Sequence, residues 1–326
     1  MTLAEPLCDS FTTAITETMK DVKRLQSWPL RMKIEHSKQV IREFYDYMNG
    51  LVSVSFSGGL DSTVLLHLVR SLYPETPAIF YDTGLEFPEI RDFVRTHENV
   101  EFIHATDRKG ERITFKNVID RYGYPVIGKE VCRKVVDVRN GSTVATRFFD
   151  GTETGRYDYR KYAYLLDAPF KISEYCCNVL KKTPSKKYFK KTGRGQYIGT
   201  RNDESQRRKT SYELLGENRY GKEPKSNPLS IWTREDVKEY IRLNNLEYCV
   251  LYDRGYERTG CMFCMFGAHL EDTPNRFQIM KRTHPKQWLY CMKPTDKGGL
   301  GLAEVLEYIG VPTGENQSMI NDFMEE

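Results

Sequence analysis

Leu51-Val52-Ser53-Val54-Ser55-Phe56-Ser57-Gly58-Gly59-Leu60-Asp61-Ser62 is the stretch that decides the fold. Its first half is short and β-prone, and Thr63 to Leu72 then reads as a strongly apolar helix. A strand, a glycine turn and a helix in that order open an α/β unit. Two glycines let the backbone turn sharply and aim N–H groups at an anion. Ser57 and Ser62 add hydroxyl donors, and the helix that follows presents its positive end. The loop lacks the Gly-Lys-Ser/Thr ending of a Walker A motif.

The same alternation continues outward. Ala78-Ile79-Phe80-Tyr81 reads as a second buried strand ending at Asp82-Thr83-Gly84, Pro88 to Thr96 as a helix with Pro in its first turn, and Val100 to His104 as a third strand. Upstream, apolar residues recur at helical spacing through Ile15, Met19 and Val22, and again from Ile34 through Val40, Ile41 and Phe44, so residues 11–50 read as helical. Between Lys129 and Phe170, the turn dipeptides Asn140-Gly141 and Asp150-Gly151 separate β-branched and aromatic stretches, which predicts an inserted β-hairpin region. After Tyr175 the α/β pattern resumes: a basic helix, Gln196-Tyr197-Ile198 as a strand, then Gly199-Thr200-Arg201. Thr233 with Glu235-Asp236 caps a helix running to Leu243. The remainder reads as irregular to helical. The expected organisation is a helical segment over 1–48, a nucleotide-binding domain over 49–250 with its insertion at about 129–170, and a cysteine-containing region over 251–326 packed on the core.

Of the 326 residues, 39% are hydrophobic and 12% aromatic, enough to fill a core and to exclude wholesale disorder. No apolar run approaches the ~20 residues needed to cross a bilayer, and the first residues lack the continuous apolar core of a secretory signal, so the expected location is cytoplasmic. Lys plus Arg exceeds Asp plus Glu by 49 to 45, a net +4. Lys181 to Lys209 alone holds eleven basic and two acidic residues, a local +9 that leaves −5 for the rest. Such a block suits a polyanionic partner, nucleotide or nucleic acid, with a solvated basic face as the bland alternative. Cysteines stand at 8, 132, 176, 177, 249, 261, 264 and 291. The adjacent Cys176-Cys177 and the CxxC of Cys261-Met262-Phe263-Cys264 could bring four thiolates to one metal centre; four buried free thiols are the alternative.

The SGGxDS pattern resembles the pyrophosphate-binding loop of the N-type ATP pyrophosphatases. Four further segments resemble adenylyl-sulfate and phosphoadenylyl-sulfate (PAPS) reductases: Asp82-Thr83-Gly84-Leu85-Glu86-Phe87-Pro88-Glu89, Gly199 to Arg208, Asn227 to Trp232 with Asp236-Val237 and Tyr240-Ile241, and Arg254 to Cys261. These matches run in family order over residues 50–265. The resemblance implies an adenine nucleotide alpha hydrolase-like fold: a doubly wound, mostly parallel sheet with the nucleotide at the carboxyl ends of the strands. It implies that Ser57, Gly58, Gly59, Asp61, Ser62, Asp82, Gly84, Arg201 and Arg207 bind ATP, adenylyl sulfate or PAPS, with Mg²⁺ neutralising pyrophosphate and Asp61 and Arg201 as the catalytic candidates. In the assimilatory adenylyl-sulfate reductases a Cys-Cys pair and a CxxC hold a 4Fe-4S cluster, and Cys176, Cys177, Cys261 and Cys264 fit that arrangement. Zinc is the alternative metal, and Cys291 an alternative ligand.

One departure redirects the functional expectation. Sulfonucleotide reductases attack the substrate sulfur with a cysteine in a Glu-Cys-Gly-(Ile/Leu)-His context, whereas the last cysteine of this sequence is Cys291, in Leu289-Tyr290-Cys291-Met292-Lys293. Without a thiolate to accept the sulfonate, the thioredoxin-linked reaction loses its first step. The chain then looks closer to the sulfur-transfer components of DNA phosphorothioation systems and to tRNA-thiolating enzymes. The expectation is an ATP-pyrophosphatase-type enzyme that adenylylates an acceptor, a nucleic acid being one the basic block suits, for iron–sulfur-assisted sulfur transfer. A sulfur-donor protein such as a cysteine desulfurase is the implied partner. A reductase releasing sulfite, with Cys291 as a displaced nucleophile, and a non-catalytic nucleotide or nucleic-acid sensor are the alternatives.

Overall fold

The structure is a computed structural model and describes residues 22–155, 158–204, 206–257 and 259–314. The chain forms two compact units. Among the described residues the first comprises 22–82, Phe87–Ile103 and Pro184–Thr259, and the second comprises Thr83–Glu86, His104–Thr183 and 260–314. Of the expected helical reading over residues 11–50, Leu30–Tyr47 is one helix, while residues 11–21 lie outside the described residues, as does Cys8.

The first unit is built on a sheet of six strands: β1 (Val52–Ser55), β2 (Ala78–Tyr81), β3 (Val100–Ile103), β5 (Gly195–Ile198), β6 (Asn218–Arg219) and β7 (Lys225–Ser226); β4 (Val126–Ile127) is a strand of the second unit. Their spatial order is β3-β2-β1-β5-β7-β6, parallel throughout except for the β6–β7 pair. Val52, Ser53 and Val54 are all buried, as a central strand covered on both faces requires. The chain leaves β1 for β2 and β3 on one side, then returns to place β5 on the other, with Ser55 opposite Ile198. The order therefore reverses between β1 and β5, and in open α/β sheets that reversal opens a crevice at the strands' carboxyl ends. The mostly parallel doubly wound sheet read from the sequence is the fold of this unit.

Buried polar groups fix the Leu30–Tyr47 helix to this unit. The Tyr197 hydroxyl donates to the Ile41 carbonyl at 2.7 Å. The Trp232 indole N–H donates to Ser37 Oγ at 2.8 Å, and that hydroxyl donates to the Pro228 carbonyl at 2.7 Å. Thr233 and Asp236 form a reciprocal capping box on the Arg234–Leu243 helix, as its sequence predicts.

The second unit corrects the hairpin expectation. Residues 129–170 fold as the helices Lys129–Arg139 and Thr143–Asp150 followed by a 3₁₀ segment, Tyr159–Asp167. Gly141 and Gly151, at φ +87° and +85°, end helices instead of turning hairpins. Val131, Cys132 and Val135 form the buried stripe of the first helix at helical spacing, and Ser142 caps the second. The Arg139 guanidinium donates to the carbonyls of Leu165, Leu166, Ala168 and Phe170 at 2.8–3.2 Å, supplying partners that strand pairing would otherwise have given. A short parallel pair, β4 (Val126–Ile127) with β8 (Met265–Phe266), ties the segment after the CxxC to the strand that leads into these helices. Consequently 104–183 associates with the tail, in place of the linear division at residue 250. Among the described residues no helix is long and apolar enough to cross a membrane.

Candidate active site

The SGGLDS loop lies at the carboxyl end of β1, at the strand-order reversal. Gly58 sits at φ +72°, and a Cβ there would stand 2.9 Å from Val94 Cγ2, so both conformation and space demand glycine. Gly59 is the extended N-cap of the Leu60–Leu72 helix. Ser62 braces the loop from within: its Oγ accepts the Ser57 N–H at 3.2 Å and donates to the Gly59 carbonyl at 2.9 Å. Ser57 is exposed, with its hydroxyl 3.1 Å from that of Ser62. The loop after β5 closes against the same turn, where a Cβ on Gly199 would meet the Asp61 carbonyl oxygen at 3.0 Å.

Arg201 is buried beside it, 7% exposed. Its Nε lies 2.6 Å from Asp61 Oδ1, close enough for a strong ion pair although not aligned as a hydrogen-bond donor. Its Nη1 donates to both oxygens of Asp203 at 2.6 and 2.8 Å. Burial pushes the Asp61 carboxyl above the usual carboxylate range, and the Arg201 charge opposes that shift. Asp82, at the end of the neighbouring strand, is buried and accepts a 2.7 Å bond from Arg91. Gly84 has φ +77° and belongs to the second unit. The side chain of Arg207 lies outside the described residues.

All four expected metal-binding cysteines belong to the second unit. Cys176 and Cys177 precede the π-helical turn Asn178–Lys182, with their sulfurs 3.9 Å apart. Cys261 and Cys264 flank a tight turn in which the Cys264 N–H donates to the Cys261 carbonyl at 3.2 Å. The thiols act on one another: a hydrogen bond to Cys177, burial, and the charges of Cys177, Cys264 and Cys261 all push Cys176 up. Cys177 is held down, chiefly by the thiol hydrogen bond from Cys176, with help from Lys129 and Lys181. Burial pushes Cys261 up to about 11 against the pull of Lys181. Among the described residues, no three His, Cys, Asp or Glu side chains are arranged so as to hold a metal ion. As a donor set, four cysteine thiols in the same unit suit a thiolate-bound metal.

Cys132, Cys249 and Cys291 are buried. Cys291 donates to the Trp288 carbonyl within its own helix, and burial pushes its thiol far above the ordinary value, unlike an activated nucleophile. Further side chains, given no role from the sequence, line the two clusters. The Tyr252 hydroxyl accepts the Leu60 N–H at 3.1 Å and meets Thr259 Oγ1 at 2.9 Å, a long-range contact with no local signal. Lys181 lies 3.8 Å from Glu86, whose carboxylate also accepts the Thr83 N–H at 3.0 Å. The spacing of Lys181 one helical turn beyond Cys177 was the legible clue to its role.

Sheet order, glycine loop and the buried Arg201 beside Asp61 define a doubly wound α/β protein with its loop at the switch point of the sheet. The chain belongs to the phosphoadenosine phosphosulfate reductase domain family, whose model matches residues 51–139 and 137–266. An uncharacterised protein of Methanocaldococcus jannaschii is 27% identical over 85% of this chain, which spans 57% of that relative's length. The adenosine 5'-phosphosulfate reductase of Anoxybacillus flavithermus is 24% identical over 79% of this chain and 91% of its own. Among solved structures, a PAPS reductase from Candida auris in a phosphate complex aligns with TM-score 0.42 and 18% identity, over 80% of this chain and 97% of that one. The U34-tRNA thiolase NcsA from Methanococcus maripaludis, with its 4Fe-4S cluster, aligns with TM-score 0.36 and 14% identity, over 85% and 80%. At these scores neither bears on the chemistry.

Proposed function

We propose that the chain is an ATP-pyrophosphatase-type enzyme that adenylylates an acceptor in preparation for sulfur transfer. The observation that carries this reading is the Arg201–Asp61 pair, 2.6 Å apart beside the Gly58–Gly59 backbone at the sheet's switch point. An oxygen of the acceptor attacks the α-phosphorus of ATP, the α–β bridging bond breaks, and pyrophosphate departs. The acceptor is then activated, and a sulfide-level nucleophile displaces AMP without net redox change. Arg201 offsets charge building on the phosphates, Asp61 fixes the guanidinium, and the loop N–H groups receive the anion. Mg²⁺ with the nucleotide would neutralise the leaving pyrophosphate.

Cys176, Cys177, Cys261 and Cys264 would hold a 4Fe-4S cluster, which supplies iron–sulfur chemistry when bound. Lys129 and Lys181 favour the thiolate at Cys177. Cys291, the displaced nucleophile that the reductase reading would need, is buried and donates to a helix carbonyl.

Pyrophosphate release from ATP, followed with acceptor mixtures, should collapse in Asp61→Ala; undiminished turnover there contradicts the assignment. Thioredoxin-dependent sulfite release from adenylyl sulfate or PAPS would restore the reductase. Anaerobic purification should yield iron and acid-labile sulfide, and stoichiometric zinc without iron would remove the cluster.

A further inference from the structure

The sheet unit holds a cavity of about 810 Å³ directly beside the phosphate loop. Leu60, first residue of the helix after the loop, and Tyr252, which accepts its N–H, form part of the wall. The Arg234–Leu243 helix contributes Arg234, Lys238 and Arg242. Spacing by four residues puts the three cations on one helix face, each about 6 Å further along the axis. Arg234 is engaged with the Glu257 carboxylate at 3.2 Å. Lys238 and Arg242 are exposed and have no side-chain partner among the described residues. Tyr248, 41% exposed, is held edge-on against Tyr252 with ring centroids 6.3 Å apart, and its hydroxyl donates to Asp253 at 2.9 Å.

This cavity is coupled to the reactive pair. Asp203, which pairs with Arg201, also accepts the backbone N–H of Arg234 at 3.2 Å. A ligand in the cavity therefore lies along the helix whose first residue is tied through Asp203 to Arg201 and Asp61. Rigid tyrosine faces beside two uncommitted cations suit one chemistry: a base to stack and a phosphate to neutralise. The volume falls in the range of small-ligand pockets, about 300–1,000 Å³.

We infer that this cavity is the acceptor pocket and takes a nucleotide unit, its base on Tyr248 and its phosphate on Lys238 and Arg242. The acceptor role rests on the ATP reading of the SGGLDS loop; the ligand chemistry does not. A free nucleotide and a residue within a single strand share that chemistry, and the test separates them.

The full chain is titrated against a fluorescein-labelled twelve-residue oligouridylate and, separately, labelled uridine monophosphate, with a fluorescent ATP analogue as the third probe. The parent should bind at least one uridine probe: the strand alone assigns a strand acceptor, and comparable affinity for the monophosphate assigns a free nucleotide. Lys238→Gln/Arg242→Gln should weaken that binding at least tenfold. With the strand it should also lower the log–log salt slope by about 1.4, at about 0.7 per single-strand phosphate. Tyr248→Ala should weaken binding about tenfold with the slope unchanged. ATP-analogue binding should persist in both variants. The inference is overturned by a parent that binds neither uridine probe, by variants that match it, or by loss of ATP binding in the double variant, which would make the cavity part of the ATP site. Continued turnover in Asp61→Ala would remove the ATP reading while leaving the uridine result standing.

Discussion

Replacing Arg201 by Met keeps an apolar stem of similar length and removes the cation that pairs with two carboxylates, Asp61 and Asp203. In the parent, Asp61 and Asp203 each have an oxygen 2.6 Å from that guanidinium, and their side chains are 29% and 32% exposed. Breaking a fully buried pair from one side costs about 3–5 kcal/mol. Carboxylates with nearly a third of their surface still in water recover part of that, so the expected loss is about 2–3 kcal/mol. At about 2–4 °C per kcal/mol, Tm should fall by roughly 5–10 °C. Urea unfolding followed by tryptophan fluorescence reads this directly, since Trp232 is buried in the same unit. The pH dependence has a definite sign. Asp61 titrates above its unfolded-state value because burial disfavours its charge, so the stability it contributes is present at low pH and lost as pH rises through its raised pKa. Removing Arg201 deepens that loss, so the deficit should be largest near neutrality and shrink on acidification. In the Asp61→Asn/Arg201→Met cycle the two losses should fall short of additive by about 1 kcal/mol. A single variant within about 0.5 kcal/mol of the parent, or a strictly additive cycle, refutes the pair as a structural unit.

Gly58→Ala should destabilise by at least about 1 kcal/mol and abolish ATP-analogue binding, because the backbone is left-handed there and the added Cβ meets Val94; normal binding contradicts the loop assignment. Lys33, 2% exposed and 2.5 Å from Asp236, anchors the capping carboxylate of the Arg234–Leu243 helix, so Lys33→Ala should cost about 3 kcal/mol in urea unfolding. His36 is raised above 6.5 chiefly by its hydrogen bond to Glu217, so its stabilisation is complete below pH 6.5 and lost as pH climbs through the higher folded-state value; His36→Gln should erase that slope in unfolding experiments across this window. Cys261→Ser and Cys264→Ser should each lower iron and sulfide content after anaerobic purification, and retention of full content in both removes them as ligands.

The glycine loop's geometry was legible because its determinants are local: a β-prone run, two glycines and an apolar helix are contiguous, and Gly58 at φ +72° is a property of the loop's own backbone. The cysteine pairs were legible for the same reason, spacing within a few residues. By contrast, Asn140-Gly141 and Asp150-Gly151 supply positive φ equally to hairpin turns and to helix ends. Only the packing of Val131 and Val135 against the second unit's core resolves them as helices. The grouping of 104–183 with the tail likewise depends on the β4–β8 pairing, between short segments widely separated in sequence. Arg201 and Asp203 could be read as charges in a basic stretch, but their attachment to Asp61 and to the Arg234 N–H exists because β5 inserts beside β1. Sequence determined the elements whose geometry is written in neighbouring residues. Tertiary structure decided the partners, because pairing distant charges and capping Leu60 with Tyr252 require burial and strand order, which bring together groups that no local periodicity relates.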